Sequence, residues 1–212
     1  MNLPPRGDTA VIFMGSFDDG FAKALSVLRP RVRLVDLTDT DLTNRDDATR
    51  HLCVNAVAPH EVCIFARWPE RVESRPEVGG TGKWAETLLA HLRTLFLLLQ
   101  ASASARGDRD QLSIVVVLDD ASAMGEAGHS LPAAFAGAVL SMVRSAAIEL
   151  RKRASLNTLL APISRPDETA LDVGQAAADL ASAVAGFWSS FTGATGQEIF
   201  LSHGTDVGRL RP

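Results

Sequence analysis

Short apolar segments alternate with longer helical segments along the whole chain, and this alternation is what most constrains the fold. The first apolar segment, Thr9–Met14 (TAVIFM), does not alternate between polar and apolar residues, which is typical of a strand covered on both sides. Similar segments follow in order: VRLVDL, EVCIFA, LSIVVVL, LNTLLAP and QEIFLS. Strict alternation of this kind predicts an α/β fold, a Rossmann-like doubly wound parallel sheet of about six strands. We expect residues 1–212 to form a single domain.

Four longer segments with helical spacing separate these strands, and a shorter one precedes Pro30. In the segment after the third strand, the apolar residues extend almost all round the helix, so this helix needs cover on more than one side. The predicted helices are Asp46–Val57, Trp84–Ser104, Leu131–Arg153 and Asp172–Trp188.

The overall composition excludes several classes of partner. With 46% hydrophobic and 22% charged residues, the chain has the balance of a soluble globular protein. A net charge of -4 provides no basic field for nucleic acid. No segment has the ~18 uninterrupted apolar residues of a membrane span, and MNLPPRGDT lacks the core of a signal peptide. We therefore expect a cytoplasmic protein, with Cys53 and Cys63 as buried thiols because both lie in apolar segments.

Four segments, in order and correctly spaced, are similar to motifs of the short-chain dehydrogenase/reductase family. WAETLLAHLRTLFLLLQAS resembles the central helix of that family, and SMVRSAAIEL resembles its catalytic helix beyond the lysine. LNTLLAP resembles its VNxxxP strand, and TGQEIFLSHG its closing TGQxxxVDGG. The resemblance implies a sheet of the short-chain dehydrogenase type and, in active members, NAD-dependent oxidoreductase chemistry.

The residues that carry this chemistry in the family are all replaced. Active members use a Tyr-x-x-x-Lys pair, in which the lysine lowers the tyrosine pKa, together with a serine and an asparagine. Aligned on the later motifs, Pro132 stands at the tyrosine position, Ala136 at the lysine, Asp119 at the serine and His91 at the asparagine. The chain contains no tyrosine at all, so no shift of the alignment restores the phenol.

The cofactor side departs from the family in the same way. The first turn reads MGSFDDG, in which Phe17 fills space that a glycine should leave open. Asp18 and Asp19 place negative charge where a diphosphate would lie, although both also suit a helix N-terminus. Compared with the family, one βα unit is missing. The missing unit is the one that carries the acid that binds the ribose, or, if Asp36 is that acid, it is the βα unit that follows. FARW stands where the family has Asn-Asn-Ala-Gly, and we expect no cofactor.

Other candidate sites have simpler explanations. GGTGKW resembles a phosphate loop but lacks two of its required residues, so a helix-entry loop accounts for it better. Asp119 and Asp120 end a strand where this fold places active sites, which is also where a carboxylate caps the following segment. There are two alternatives to a loss of function. In the first, the chain is an enzyme with a different chemistry, in which Asp119 and His91 form an acid/base couple. In the second, the emptied cleft binds a small-molecule effector.

The two long helices are the feature of the sequence that indicates a function. In the resembled family, these helices pack against their counterparts in another subunit as a four-helix bundle. The leading hypothesis is therefore a non-catalytic subunit that pairs with an active short-chain dehydrogenase, in a hetero-oligomer such as a heterotetramer. The predicted interface residues are Leu92, Phe96, Leu99, Phe135, Val139, Met142, Val143 and Ala146.

Overall fold

A computed structural model describes residues 9–14, 19–38, 40, 42–53, 59–69, 81–104, 112–125, 130–151, 153–162, 170–190 and 193–201. All described strands pair in parallel in one sheet, in the order β2-β1-β3-β4-β5-β6. The strands are β1 (Thr9–Met14), β2 (Val32–Asp36), β3 (Glu61–Ala66), β4 (Leu112–Asp119), β5 (Ala154–Ala161) and β6 (Glu198–Phe200). The predicted six-stranded doubly wound sheet is confirmed.

Strands in the middle of the sheet are buried because helices cover both faces of the sheet. Every residue of β1, β3 and β5 is buried, whereas the edge strands β2 and β6 are partly exposed. Alternate residues of one strand therefore face two different cores. In β5, for example, Leu160 packs on one side of the sheet and Leu159 on the other.

Six helices connect the described strands. They are α1 (Asp19–Leu28), α2 (Arg45–Leu52), α3 (Thr81–Ser104), α4 (Asp120–Met124), α5 (Ser130–Leu150) and α6 (Ala170–Ser190). Helices α1 and α6 pack together on one face, and α2, α3 and α5 cover the other. The sequence predicted all of these except α4, although α2 was expected to extend to Val57, into residues outside the described ranges.

The last crossover has the opposite hand to the others. Helices α3 and α5 carry the chain from β3 to β4 and from β4 to β5 across one face. Helix α6 carries it onward in the same direction, from β5 to β6, across the other face. Crossovers of this hand are rare. As a result α6 packs on α1, and the outer side of α3 and α5 has no further helix of this chain above it among the described residues.

The strand order settles the position of Asp36. Strand β2 pairs directly with β1, with Phe13 opposite Asp36, so Asp36 ends the strand next to β1. In the dinucleotide-binding sheet this is where the acid that binds the ribose lies. The missing strand is thus the outermost one. The expectation that the acid was lost with the deleted unit is wrong, and the alternative in which Asp36 takes its position agrees with the structure.

At the amino end of the sheet, a buried ion pair connects four elements. The Nε atom of Arg29, at the end of α1, lies 3.3 Å from Oε2 of Glu61 in β3. The same carboxylate oxygen accepts a 2.8 Å hydrogen bond from the Thr9 hydroxyl of β1. Arg29 also donates to the backbone oxygen of Ala185 (3.2 Å) and to Oγ of Ser189 (2.8 Å), both in α6. The pair therefore fixes the α1–α6 layer to the sheet.

The TGQ segment, Thr195–Gln197, has a structural role at the edge of the sheet. Asn157 is buried in β5, and its amide donates to the Ala194 oxygen (2.9 Å) and accepts from the Gln197 amide (3.0 Å). Gly196, with φ at +72°, adopts the left-handed conformation that favours glycine. Its backbone N–H donates to the Leu156 oxygen (2.7 Å), so this turn holds β6 against β5.

The two cysteines differ sharply in their surroundings. Cys63 is fully buried in β3, and this burial raises the pKa of its thiol well above the ordinary value, because the charged thiolate is poorly solvated there. Cys53 is only partly buried. The expected burial therefore holds fully for Cys63 and partly for Cys53.

We predict that a thiol-directed reagent modifies one cysteine per folded chain and two after unfolding in urea. The neutral form of Cys63 is favoured up to alkaline pH, and thiolates are the reactive species. Mass mapping after labelling at pH 8 should place the modification on Cys53. A Cys53→Ser variant provides the control, and rapid native labelling of that variant would contradict the prediction.

Among the described helices, α5 is long and apolar enough to cross a membrane by length and composition. In the fold it is a core helix, since it packs on β4, β5, α3 and α4. Seven of its residues are buried, including Phe135, Val139 and Val143.

Candidate functional site

The four positions that replace the family catalytic residues lie on three elements near the carboxyl end of the sheet. Asp119 ends β4, Pro132 and Ala136 lie in the first turns of α5, and His91 lies in α3. Parallel sheets bind ligands at this end of their strands. The structure shows what these side chains do at this end of the sheet.

Asp119 serves as a helix cap. Its Oδ2 atom accepts hydrogen bonds from the backbone N–H (3.0 Å) and the hydroxyl (2.6 Å) of Ser122. It thereby starts the short helix α4, which ends at Gly125 in the left-handed conformation (φ +76°). This is the capping alternative considered for the strand end. The segment DDASAMG carries the signal for this helix, an aspartate N-cap and a glycine after the last turn.

For Asp119, we predict that replacement by alanine costs about 1 kcal/mol of unfolding free energy, because the N-cap bonds are lost. Asp119→Asn should lose much less, since asparagine caps helices about as well as aspartate. Thermal unfolding of both variants measures this difference. If Asp119 were instead a general base, the asparagine variant would lose any activity of the isolated chain while keeping its stability.

His91 is held by its own helix and by an aromatic neighbour. Its Nδ1 lies 3.0 Å from the Thr87 backbone oxygen, one turn earlier, so this nitrogen is the donor. The ring meets that of Phe135 edge-on, with centroids 6.1 Å apart and planes at 88°. Within the described residues, no hydrogen bond or ion pair joins His91 to Asp119, whose carboxylate contacts Ser122. The acid/base couple therefore gains no support from the geometry.

Trp68 fills the space beside these residues. The pairing of β3 with β1 runs to the end of both strands, and beyond it the Arg67 backbone N–H donates to the Met14 oxygen at 3.1 Å. Trp68 follows directly, is 9% exposed and packs on Phe135 with ring centroids 6.1 Å apart. The two aromatic side chains belong to the core that covers this face of the sheet.

The sequence singled out FARW as foreign to a cofactor site, and the structure gives the reason. The Trp68 and Phe135 rings, with His91 against the second of them, form what we call the aromatic plug. Pro132 and Ala136, on the same helix as Phe135, are both buried and carry no group that exchanges a proton. Phe135 was predicted as an interface residue, and its place in the plug could not be derived from helical spacing alone.

This fold implies a dinucleotide cofactor, and the residues present match only the end of that cofactor at which Asp36 lies. Asp36 is exposed at the end of β2, and its Oδ1 accepts from the backbone N–H (2.9 Å) and hydroxyl (2.6 Å) of Thr38. At the opposite end of the cleft the aromatic plug fills the region next to the catalytic positions. Asp19, the first residue of α1, adds negative charge at the helix N-terminus that would face the diphosphate. Phe17 and Asp18 lie outside the described residues. The residues in place do not fit a complete dinucleotide.

The structure also bears on metal binding and on the GGTGKW segment. No cluster of three or more histidine, cysteine, aspartate or glutamate side chains suited to a metal occurs among the described residues. Of the GGTGKW segment, Gly79 and Gly80 lie outside the described ranges, and Thr81–Trp84 form the first turn of α3. The segment therefore leads into a helix, as expected for helix entry.

The predicted interface residues divide into two groups. Leu99, Phe135, Val139 and Val143 are at most 3% exposed and belong to the core of this chain, so they offer little surface to a partner. Phe96 is 48% exposed, and Leu92, Met142 and Ala146 are partly buried. Two exposed apolar residues on the same helices escaped the prediction, Leu89 and Ile148.

Between the later turns of α3 and α5 lies a groove of about 290 Å³. Its floor is apolar, with Phe96, Leu99, Met142 and Ala146, and the arginines Arg45 and Arg153 lie among its polar lining. The groove, together with the exposed outer residues of α3 and α5, forms a continuous surface that we call the outer helix face.

Comparison with known proteins supports the fold. No protein-family model matches the chain, and no curated protein matches it in sequence. Among solved structures, a short-chain dehydrogenase/reductase family oxidoreductase from Burkholderia thailandensis is similar, with a TM-score of 0.72. It is 17% identical, and the match covers 93% of this chain and 92% of the other. The chain therefore has the short-chain dehydrogenase/reductase fold.

Two further structures agree. A short-chain dehydrogenase/reductase described as glucose/ribitol dehydrogenase, from Brucella melitensis, has a TM-score of 0.66 and 20% identity over 93% of this chain and 95% of that one. A mutant short-chain dehydrogenase/reductase from Serratia marcescens has a TM-score of 0.69 and 16% identity over 95% and 99%. At this level of identity the comparisons establish the fold and leave the activity to be argued from the site.

Proposed function

We propose that this chain is a non-catalytic subunit of a heteromeric, NAD-dependent short-chain dehydrogenase in the cytoplasm. In this proposal it binds no cofactor itself and assembles with an active subunit through the outer helix face, as a heterotetramer. The observation that carries the proposal is the aromatic plug. Trp68 and Phe135 pack together where an active enzyme of this fold needs open space for the reacting groups.

The chemistry of the lining residues supports the same conclusion. Proton transfer to or from a substrate hydroxyl needs a titratable group within hydrogen-bond reach. Pro132 and Ala136 have none, the Asp119 carboxylate caps α4, and His91 is bonded to its own helix. The Asp119 Oδ2 atom and the His91 Nδ1 atom are thus already engaged in local hydrogen bonds.

The outer helix face supports assembly. Leu89, Phe96 and Ile148 are 66%, 48% and 69% exposed, and large apolar side chains clustered on one side of a protein mark an interaction surface. A subunit that binds only the folded form of its partner stabilises that partner by mass action. A degenerate subunit can therefore contribute to an active complex without chemistry of its own.

For the substrate of the active subunit, we propose a 3-hydroxyacyl-CoA such as 2-[hydroxy(phenyl)methyl]succinyl-CoA, an intermediate of anaerobic toluene degradation. This rests on the resemblance to heteromeric dehydrogenases that pair an active with a degenerate subunit. NAD reduction by the purified complex with this thioester, compared with a simple 3-hydroxyacyl-CoA, would test the assignment.

The central experiment is co-expression with a full-length short-chain dehydrogenase encoded next to this chain and carrying an intact Tyr-x-x-x-Lys pair. We expect the two chains to elute together in size exclusion, and calorimetric titration of this chain alone to show no NAD(H) binding at micromolar concentration. As a control, Ile148→Glu should disrupt co-elution, whereas Val27→Glu, at an equally exposed site on α1, should not. Micromolar NAD(H) binding by the isolated chain, or failure to pair with any such neighbour, would refute the proposal.

A further inference from the structure

The groove between α3 and α5 extends over a similar length of both helices. Helices α3 and α5 each follow one parallel strand and lead into the next, so they run in the same direction. On α3 the groove lining runs from Phe96 to Ser104, and on α5 it runs from Met142 to Leu150. Each of these stretches advances by eight residues, which is about 12 Å along a helix axis. Phe96 and Met142 therefore mark one end of the groove, and Ser104 and Leu150 mark the other.

An arginine lies at the second of these ends. Arg153 follows the last turn of α5 and lines the groove. Its backbone N–H donates to the Leu150 oxygen (2.7 Å), and its backbone oxygen accepts from the Leu112 N–H at the start of β4 (3.3 Å). Because both backbone groups are bonded, the point from which the Arg153 side chain extends is fixed.

Another arginine reaches the first end of the groove from α2. Arg45 is the first residue of that helix and also lines the groove. The Arg93 guanidinium of α3 donates to the backbone oxygen of Thr43, two residues before Arg45. Since Arg93 precedes Phe96 by only three residues, this bond holds the start of α2 beside the Phe96 end of the groove.

Between the two arginines the floor of the groove is apolar. The volume of about 290 Å³ is at the lower end of the range for small-molecule sites. The charged side chains of the lining are the two arginines and Glu149, which together carry a formal charge of +1. The apolar floor residues are Phe96, Leu99, Ala103, Met142, Ala146 and Leu150.

The length and the charges of the groove together indicate the class of ligand. Carboxylates form paired, charge-assisted hydrogen bonds with guanidinium groups. An extended alkyl chain advances about 1.2 Å per bond, so the nine C–C bonds of decanedioate place its carboxyl carbons about 11 Å apart. This separation matches the distance between the two ends of the groove.

We propose that the groove binds a medium-chain α,ω-dicarboxylate of about ten carbons. One carboxylate binds Arg45, the other binds Arg153, and the methylene chain lies on the apolar floor. The inference goes beyond the proposed function, since it gives the isolated chain a small-molecule ligand. In a complex, this ligand and the active subunit would compete for Phe96.

Calorimetric titration of the purified chain with decanedioate tests the proposal. We expect one-to-one binding with a Kd below about 1 mM, as is typical of a ligand of this size. Decanoate, which lacks the second carboxylate, should bind about tenfold more weakly. Hexanedioate should also bind about tenfold more weakly, because its carboxyl carbons are only about 6 Å apart. A Kd above about 1 mM for decanedioate, or a Kd for decanoate within about threefold of it, would overturn the inference.

Two arginine variants test the assignment of the two ends. Arg45→Gln and Arg153→Gln should each weaken decanedioate binding about tenfold but decanoate binding only about twofold, because a monocarboxylate can use the remaining arginine. The matched controls are Arg50→Gln on α2 and Arg151→Gln after α5, which change exposed arginines outside the groove lining. Both controls should stay within about twofold of wild type. Equal weakening by a variant and its control would overturn the inference.

Glu149→Gln tests the same site in the opposite direction. The carboxylate of Glu149 repels an anion at the Arg153 end, so its removal should tighten decanedioate binding about two- to threefold. Weaker binding by this variant would contradict the proposed placement of the ligand.

These outcomes are distinct from those for the proposed function. A chain that binds decanedioate as described but never pairs with an active dehydrogenase supports this inference and refutes the proposed function. A chain that pairs with an active dehydrogenase but does not bind decanedioate does the reverse.

Discussion

Phe135→Ala is expected to lower the free energy of unfolding by about 3–5 kcal/mol, the range for large-to-small changes at fully buried aromatic positions. The side chain is 1% exposed and contacts both Trp68 and His91. Its removal leaves a cavity beside the Trp68 and His91 rings. Because these two rings belong to different elements, they cannot easily move together to fill the cavity. Chemical denaturation monitored by tryptophan fluorescence is a suitable measurement, because Trp68 reports directly on the plug.

Phe96→Ala is the matched control, since it makes the same change on the outer helix face. Phe96 is 48% exposed, so the loss of unfolding free energy within one chain should be below about 1 kcal/mol. Any effect of this variant should appear in assembly instead. If Phe135→Ala were as mild as Phe96→Ala, Phe135 would not be part of a packed plug, and the main support for the proposed function would be lost.

Arg29→Met should cost about 3 kcal/mol, or about 6–12 °C in Tm for a chain of this size. The substitution leaves the Glu61 carboxylate buried, with a 7% exposed side chain, and removes its cationic partner. It also removes the two hydrogen bonds from Arg29 to α6. We place the loss at the lower end of the range for buried pairs because the arginine side chain retains 18% exposure.

A double variant and an exposed pair serve as controls for this prediction. Adding Glu61→Gln to Arg29→Met should recover part of the loss, since the neutral amide can still accept from the Thr9 hydroxyl and carries no buried charge. Arg144→Met, which breaks the pair with Glu198 at a 59% exposed arginine, should change stability by no more than about 0.5 kcal/mol. A loss for Arg144→Met as large as for Arg29→Met would mean that burial does not set the value of these pairs.

Sequence patterns predicted the strands closely. The bounds of β1 and β3 agree with TAVIFM and EVCIFA, because a run of apolar residues ended by turn-forming or charged residues is a local signal. The short helix α4 escaped prediction although DDASAMG carries both of its caps. Its five residues are too few to show helical periodicity, so only the caps could have indicated it.

The sequence predicts that the candidate site lacks the catalytic residues of the family, but it does not predict which side chains occupy the site. The alignment of Pro132, Ala136, Asp119 and His91 with the catalytic positions of the family is made from the sequence alone. The sequence does not show that Phe135 packs against Trp68 while Phe96 is half-exposed, because both phenylalanines lie on long helices with wide apolar faces. A wide apolar face does not indicate which part meets the sheet and which part meets a partner.

By itself, the sequence determined the alternation of strands and helices, the doubly wound class and the absence of any phenol for the family chemistry. Only the tertiary structure decided that α6 packs on α1, that β2 pairs with β1 so that Asp36 ends the strand beside it, and that Trp68 packs against Phe135. The reason is physical. Backbone periodicity and capping act over a few neighbouring residues, whereas the choice of face, strand order and packing partner depends on contacts between residues that lie far apart in the chain.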